Sequence, residues 1–171
     1  MSRAALARQK IEAAEARLEG LTLPGGAGWA MEARRAAEAR VRAAGLPQRR
    51  DEYWRFTDPA PLLADDVMAS ATGLPGESPV FGEVDRLRLV FVDGVFDPAQ
   101  SDKPELAGVE IENLAEATAA DIHWAKGVFG VLEAAGQRPV ERSLAALNTA
   151  SAEQGFVIRA TGKAEKPVAF V

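Results

Sequence analysis

Gly45-Leu-Pro-Gln-Arg-Arg-Asp-Glu-Tyr-Trp-Arg-Phe-Thr-Asp58 decides how the whole chain is read. Tyr53, Trp54 and Phe56 stand among Arg49, Arg50 and Arg55 and the acids Asp51, Glu52 and Asp58. An alanine-rich amphipathic pattern precedes the stretch, and an extended region punctuated by Pro and Gly follows it. It therefore marks a junction between helices and strands, and two roles compete for it. As a binding surface it has suitable chemistry, because guanidinium forks and aromatic rings dominate interface hot spots. As an anchor, Trp54 and Phe56 would fasten the helices to the next domain while the arginines pair with Asp51 and Glu52. The anchor is favoured, since aromatic side chains carry most of the apolar area available at a junction.

Working toward the N-terminus, Ser2 suits a helix N-cap and Gly20 a stop, which predicts a helix ending near Glu19. Ala4, Ala7, Ile11, Ala14 and Leu18 form its expected apolar face. A loop over 21–28 leads to a second helix, Trp29 to Ala44, with Trp29, Ala33, Ala37, Val41 and Ala44 on one stripe. Gly45 falls where a left-handed residue ends a helix, and Pro47 prevents continuation. Together these predict a helical hairpin. Its alanine faces are shallow, because burying alanine yields little beside the ~1.5–3 kcal/mol of a large aliphatic side chain. For Arg49 to Thr57 both a helical turn and an extended segment remain open.

Toward the C-terminus, 59–82 reads as a linker carrying Pro75, Gly76 and Pro79. Leu87 to Val92 alternates as a strand, and Asp93-Gly94 is a type I′ hairpin signal leading into Val95-Phe96. Asn113 with Glu116 predicts a helix starting at Leu114. Ile122 to Ala135 reads as one helix buried on two sides, with Ile122, Ala125, Phe129 and Leu132 on one face and Trp124, Val128 and Val131 on the other. A further helix is expected over Val140 to Leu147. Phe156 to Ala160 and Val168 to Val171 read as strands. The expected class is α+β, divided into a helical hairpin with its aromatic–arginine run (1–58), a linker (59–82), a mixed segment (83–148) and a β-strand segment (149–171).

Composition narrows the function. A chain of 171 residues can bury a real core as one modest domain or two small ones. No run approaches the ~18 apolar residues of a membrane span, and no apolar signal core begins the chain. Cysteine is absent, so neither disulfides nor thiolate ligands are available. A cytoplasmic setting is expected. Residues 1–55 hold 11 Lys/Arg against 7 Asp/Glu, while the remainder holds 9 against 18. That basic arm is interleaved with Glu and does not read as a nucleic-acid footprint.

Catalytic constellations are missing from the pattern. His123 is the sole histidine and has no companion ligands, so a structural role is expected. Asp65-Asp66 and Asp51-Glu52 are adjacent pairs whose side chains diverge, which makes them poor acid/base dyads. Gly162-Lys163 lacks the rest of a phosphate loop, and Gly25-Gly26-Ala27-Gly28 follows no strand. The expectation is a protein that is not an enzyme and holds no metal or cofactor.

The opening run resembles Gly-Leu-Pro-x-Arg-Arg-(Asp/Asn)-Glu-x-Trp-(Arg/Lys)-(Phe/Tyr)-Thr-(Asp/Asn), the N-terminal signature of the SufD family in the SUF iron–sulfur cluster assembly machinery. Leu89-Val-Phe-Val-Asp-Gly-Val-Phe96 and Leu147-Asn-Thr-Ala-Ser-Ala-Glu-Gln-Gly-Phe-Val-Ile-Arg159, followed by Lys166-Pro-Val168, resemble the same family in the same order. Ser151 departs from it, standing where a bulky aromatic is expected. The resemblance implies a scaffold subunit that works through SufB-like and SufC-like partners. It also implies that this chain is the N-terminal piece of a longer protein whose final strands open a β-helix. The iron–sulfur cluster is implied only for the parent complex. A free-standing α+β protein-binding module is the alternative, and a small hydrolase or transferase is the weakest reading. The interaction motif is Arg49, Arg50, Glu52, Tyr53, Trp54, Arg55 and Phe56.

Overall fold

The computed structural model describes residues 2–64 and 81–171. The expected linker is covered only at its two ends, and Asp65-Asp66 lies outside the described residues. The protein is α+β, and its chain alternates between two compact units. One comprises Met1–Asp65 with Thr118–Glu153, the other Asp66–Ala117 with Gln154–Val171.

The first unit is helical. Ser2 caps α1 (Arg3–Glu19), its side chain accepting from Ala5 N–H at 3.2 Å. α2 (Gly28–Ala44) packs against α1 and more extensively against α6 (Ser143–Ser151). Small residues permit that approach: Ala30, Ala37, Ala146 and Ala150 are all fully buried. The larger core members are Leu18, Val41 and Leu46. The expected face of α1 is only partly correct. Ala14 and Leu18 are buried, whereas Ile11 is 42% exposed and Ala4 and Ala7 face solvent. The later residues of α1 are buried because Ala14 and Leu18 share a cluster with Val41 near the end of α2 and with Leu46 just beyond it.

The buried stripe of α2 runs through Ala30, Arg34, Ala37 and Val41, one position out of phase with the expected Ala33. Arg34 is 1% exposed. Its Nη1 donates to the Ala150 carbonyl at 3.1 Å, and its guanidinium lies 5.3 Å from the Phe129 ring centroid. Burial lowers its pKa, opposed by the charge of Glu153, and its Nε finds no acceptor. Phe129 also meets Trp29 edge-on at 6.2 Å, while Trp29 Nε1 donates to the Ala120 carbonyl at 2.9 Å.

The single two-sided helix expected over Ile122 to Ala135 is not formed. A 3-10 turn at Trp124–Gly127 and the short α5 (Val131–Ala135) replace it. Gly130, at φ +71°, interrupts the helical path between them. Ile122 is 96% and Leu132 84% exposed, so the expected burial fails at both. α6 begins at Ser143, three residues later than expected, and extends to Ser151, whose hydroxyl donates to the Leu147 carbonyl. A short α3 (Ala60–Leu63) completes the first segment, and α4 (Leu114–Ala119) begins where Asn113 accepts from Ala115 N–H.

The second unit holds three two-stranded sheets among the described residues. β1 (Leu87–Leu89) pairs parallel with β6 (Val168–Phe170). β2 (Phe91–Val92) and β3 (Val95–Phe96) pair antiparallel about Asp93-Gly94, where φ is +49° and +80°. β4 (Val109–Asn113) and β5 (Phe156–Ala160) are antiparallel, with Ile111 opposite Ile158. Leu87, Leu89 and Ile111 form the core, with Phe91, Phe96 and Phe156 packed against it. Phe96 and Phe156 meet edge-to-face at 4.8 Å.

The strand expected over Leu87 to Val92 breaks at Val90, whose N–H goes to Ser101 Oγ at 2.8 Å and whose carbonyl accepts from Asp97 N–H. Asp102 likewise accepts from Arg88 N–H at 2.7 Å and returns its own N–H to the Arg88 carbonyl. The 97–102 loop thus occupies the edge of β1 opposite β6 and blunts it against intermolecular pairing. Ser101→Ala with Asp102→Ala frees two strand donors. It should lower stability by about 1–2 kcal/mol and raise light scattering on heating; unchanged melting and scattering would show that the edge needs no cover.

Candidate interaction site

Gly45 shapes the site. At φ +72° it turns the chain leaving α2 back over α1, so that Leu46 N–H donates to the Lys10 carbonyl at 3.0 Å. Pro47 is buried, and Asp51 then folds the following residues into a turn. Its carboxylate accepts from Gln48 N–H at 3.0 Å and from Lys10 Nζ at 2.8 Å, while its carbonyl accepts from Trp54 N–H. The turn runs into a 3-10 helix at Glu52–Trp54, which resolves the choice the sequence left open.

This geometry divides the motif. Asp51 faces inward and pairs with Lys10, not with an arginine as expected. Trp54 is half-buried, with Tyr53 edge-on to it at 6.0 Å. The remaining motif residues face solvent. Tyr53 is 56% and Phe56 87% exposed, so the anchor expectation fails at Phe56. Arg55 lies 4.5 Å from the Phe56 ring centroid and pairs with Glu52 at 2.6 Å. Arg49 reaches Asp58 only at 3.9 Å, and Arg50 forms no ion pair with any described residue. Exposed ion pairs of this kind are worth little, so the patch is held by its turn and not by its charges.

Across from the turn lies a segment that sequence spacing does not connect with it. An open groove of about 1310 Å³ runs between them, lined by Lys10, Pro47, Tyr53 and Trp54 on one side and by Arg138, Pro139 and Val140 on the other. Arg142, next to this lining, places its guanidinium 5.9 Å from the Tyr53 ring centroid. Gln137 orders the 137–142 loop, its side-chain oxygen accepting from Arg142 N–H at 2.6 Å. The Pro139-Val140 step beside the motif was the missed element, and only long-range packing brings it there.

Among the described residues no group of three or more His, Cys, Asp or Glu could hold a metal ion. His123 Nδ1 accepts from Ala125 N–H at 3.0 Å and caps the 3-10 turn that follows it. Among the described residues no helix is long and apolar enough to cross a membrane. The arrangement offers a firmly seated turn, exposed rings flanked by guanidinium groups, and an adjoining groove. No family model and no curated protein matches this chain.

Proposed function

We propose that this chain is the N-terminal segment of a SufD-like scaffold subunit of iron–sulfur cluster assembly, acting in the cytoplasm through contact with SufB-like and SufC-like proteins and without a catalytic step of its own. The family comes from the three ordered resemblances. The interaction reading is carried by the exposure of Phe56 and Tyr53 beside Arg49, Arg50 and Arg55. Large rings left in water next to guanidinium groups are the composition of an interface hot spot. β5 and β6 as the opening strands of a β-helix belong to the same proposal. Each has one partner strand among the described residues, and Phe170 in β6 and the adjoining Val171 are about half exposed. The cluster is cargo of the parent complex, and a chain without cysteine gives it no thiolate.

The test uses this chain immobilised against purified SufB-like and SufC-like proteins. Capture of at least one is expected, and Arg55→Ala with Phe56→Ala should weaken it by about tenfold or more while the melting temperature stays unchanged. Failure to capture either protein overturns the proposal.

A further inference from the structure

We infer that the groove between the 48–54 turn and the 137–143 segment binds an extended, proline-rich segment of a partner protein, with pyrrolidine rings against Tyr53, Trp54 and Pro139 and a peptide carbonyl on the Trp54 indole N–H. This goes beyond the reading above: it adds a second contact beside the motif surface, with its own chemistry, and does not depend on the family.

Charge sorts the possible occupants first. The lining carries Lys10, Arg40 and Arg138 against Asp51, Glu52 and Glu141, so the two signs balance. Most of these are already met within the protein. Lys10 holds Asp51 at 2.8 Å, Arg40 engages Glu133 through two guanidinium nitrogens, and Arg55 takes Glu52. Arg138 and Glu141 are left, one of each sign. A groove without surplus charge complements an uncharged occupant. It gives no advantage to an acidic tail, a phosphorylated segment or a nucleic-acid strand.

Shape and secondary structure sort them further. At about 1310 Å³ the open groove exceeds the ~300–1,000 Å³ usual for small-ligand sites, which favours a peptide. Its walls come from α1, the end of α2, the 3-10 turn and the segment leading into α6. None is a strand, so no sheet edge offers a ladder to a bound β-strand. Ala43 and Ala44 make a shallow wall among charged neighbours, which denies an amphipathic helix the continuous apolar row it needs. The polyproline helix is the mode that fits, because it docks on exposed rings.

Rings and a donor are both in place. Tyr53 is 56% exposed and meets Trp54 at 77° and 6.0 Å, so neither ring covers the face of the other. Arg142, 5.9 Å from the Tyr53 centroid, steadies that ring. Pro139 supplies an apolar surface on the opposite wall. The Trp54 indole N–H donates to no described residue and is available to a ligand. A polyproline helix has no internal hydrogen bonds, so its carbonyls are free to accept, and its extended backbone is ordered before it binds.

The experiment follows fluorescence anisotropy of a short labelled peptide of Leu-Pro-Pro repeats, with the whole chain as receptor. A counterpart with Ala in place of Pro is run alongside. The proline peptide alone should bind, and raising salt from ~50 to ~500 mM should change its affinity by less than about twofold. Tyr53→Ala should weaken binding by about tenfold or more. Trp54→Phe, which keeps a ring and removes the N–H, should weaken it by about threefold or more. Phe56→Ala, which removes an exposed motif ring outside the lining, should leave it unchanged. Circular dichroism checks that each variant keeps its fold. No binding of the proline peptide, equal binding of the Ala counterpart, a steep loss with salt, or indifference to either groove substitution would each overturn the inference. Peptide binding without capture of SufB-like or SufC-like proteins would sustain the inference and remove the family reading.

Discussion

Gly45→Ala should destabilise the helical unit by about 3–5 kcal/mol, the left-handed backbone alone accounting for ~1–3. Gly45 sits at φ +72° and ψ 171°, outside the range a side chain tolerates. Space is the second obstacle. An added Cβ would stand 2.7 Å from the Lys10 carbonyl carbon and 2.8 Å from Lys10 Cβ. Backbone cannot move aside as the tip of a side chain can, so α1 and the end of α2 must separate. That separation breaks the Leu46 N–H bond to Lys10 and draws Leu46 out of its cluster with Leu18 and Val41. Urea denaturation followed by far-ultraviolet circular dichroism measures the loss. A change below about 1 kcal/mol would fall within the range of an unstrained glycine replacement and would mean that α1 yields freely.

Arg34 gives the second large effect, and the comparison of substitutions is its content. Arg34→Ala leaves a void beside Phe129 and strips the Ala150 carbonyl of its donor, at a cost of about 3–5 kcal/mol. Arg34→Met fills the same length of space and removes a charge held out of water, so its cost should stay near ~1 kcal/mol. Arg34→Lys should fall between them, since an ammonium keeps the charge but lacks the flat face that lies over Phe129. Equal losses for Ala and Met would assign the stability to the carbonyl bond and not to packing. Chemical denaturation of the three variants under one condition settles the order.

Features set by neighbours in sequence could be read from it. Ser2 caps α1, the chain turns at Gly45, Asn113 accepts from Ala115 N–H ahead of α4, and Asp93-Gly94 adopts two positive φ values. Each depends on dihedrals and hydrogen bonds spanning a few residues. Arg34 was illegible because an arginine on a helix ordinarily marks the wet side. Here the wall of alanines on α6 and the Ala150 carbonyl override that preference. The 122–135 segment misled because its apolar spacing is helical, while Gly130 interrupts the backbone that would express it. β4 did carry a signal: in Val109-Glu-Ile-Glu-Asn113 apolar and polar residues alternate, and Ile111 is the buried member. At the candidate site the motif itself was plain, but whether its rings faced inward or outward was not. That depended on Asp51 being claimed by Lys10, and the opposite wall at Arg138 to Val140 has no local mark.

The chain enters each unit twice, and this constrains how it can be made. On a ribosome adding roughly 5–20 residues per second, α1 and α2 emerge well before α6, so the Arg34 guanidinium waits for the carbonyl that will receive it. β1 in turn has no companion until β6 has left the exit tunnel. Each half therefore closes only after its second stretch has been made, and a nascent chain stalled before Ser143 would present bare alanine faces to chaperones.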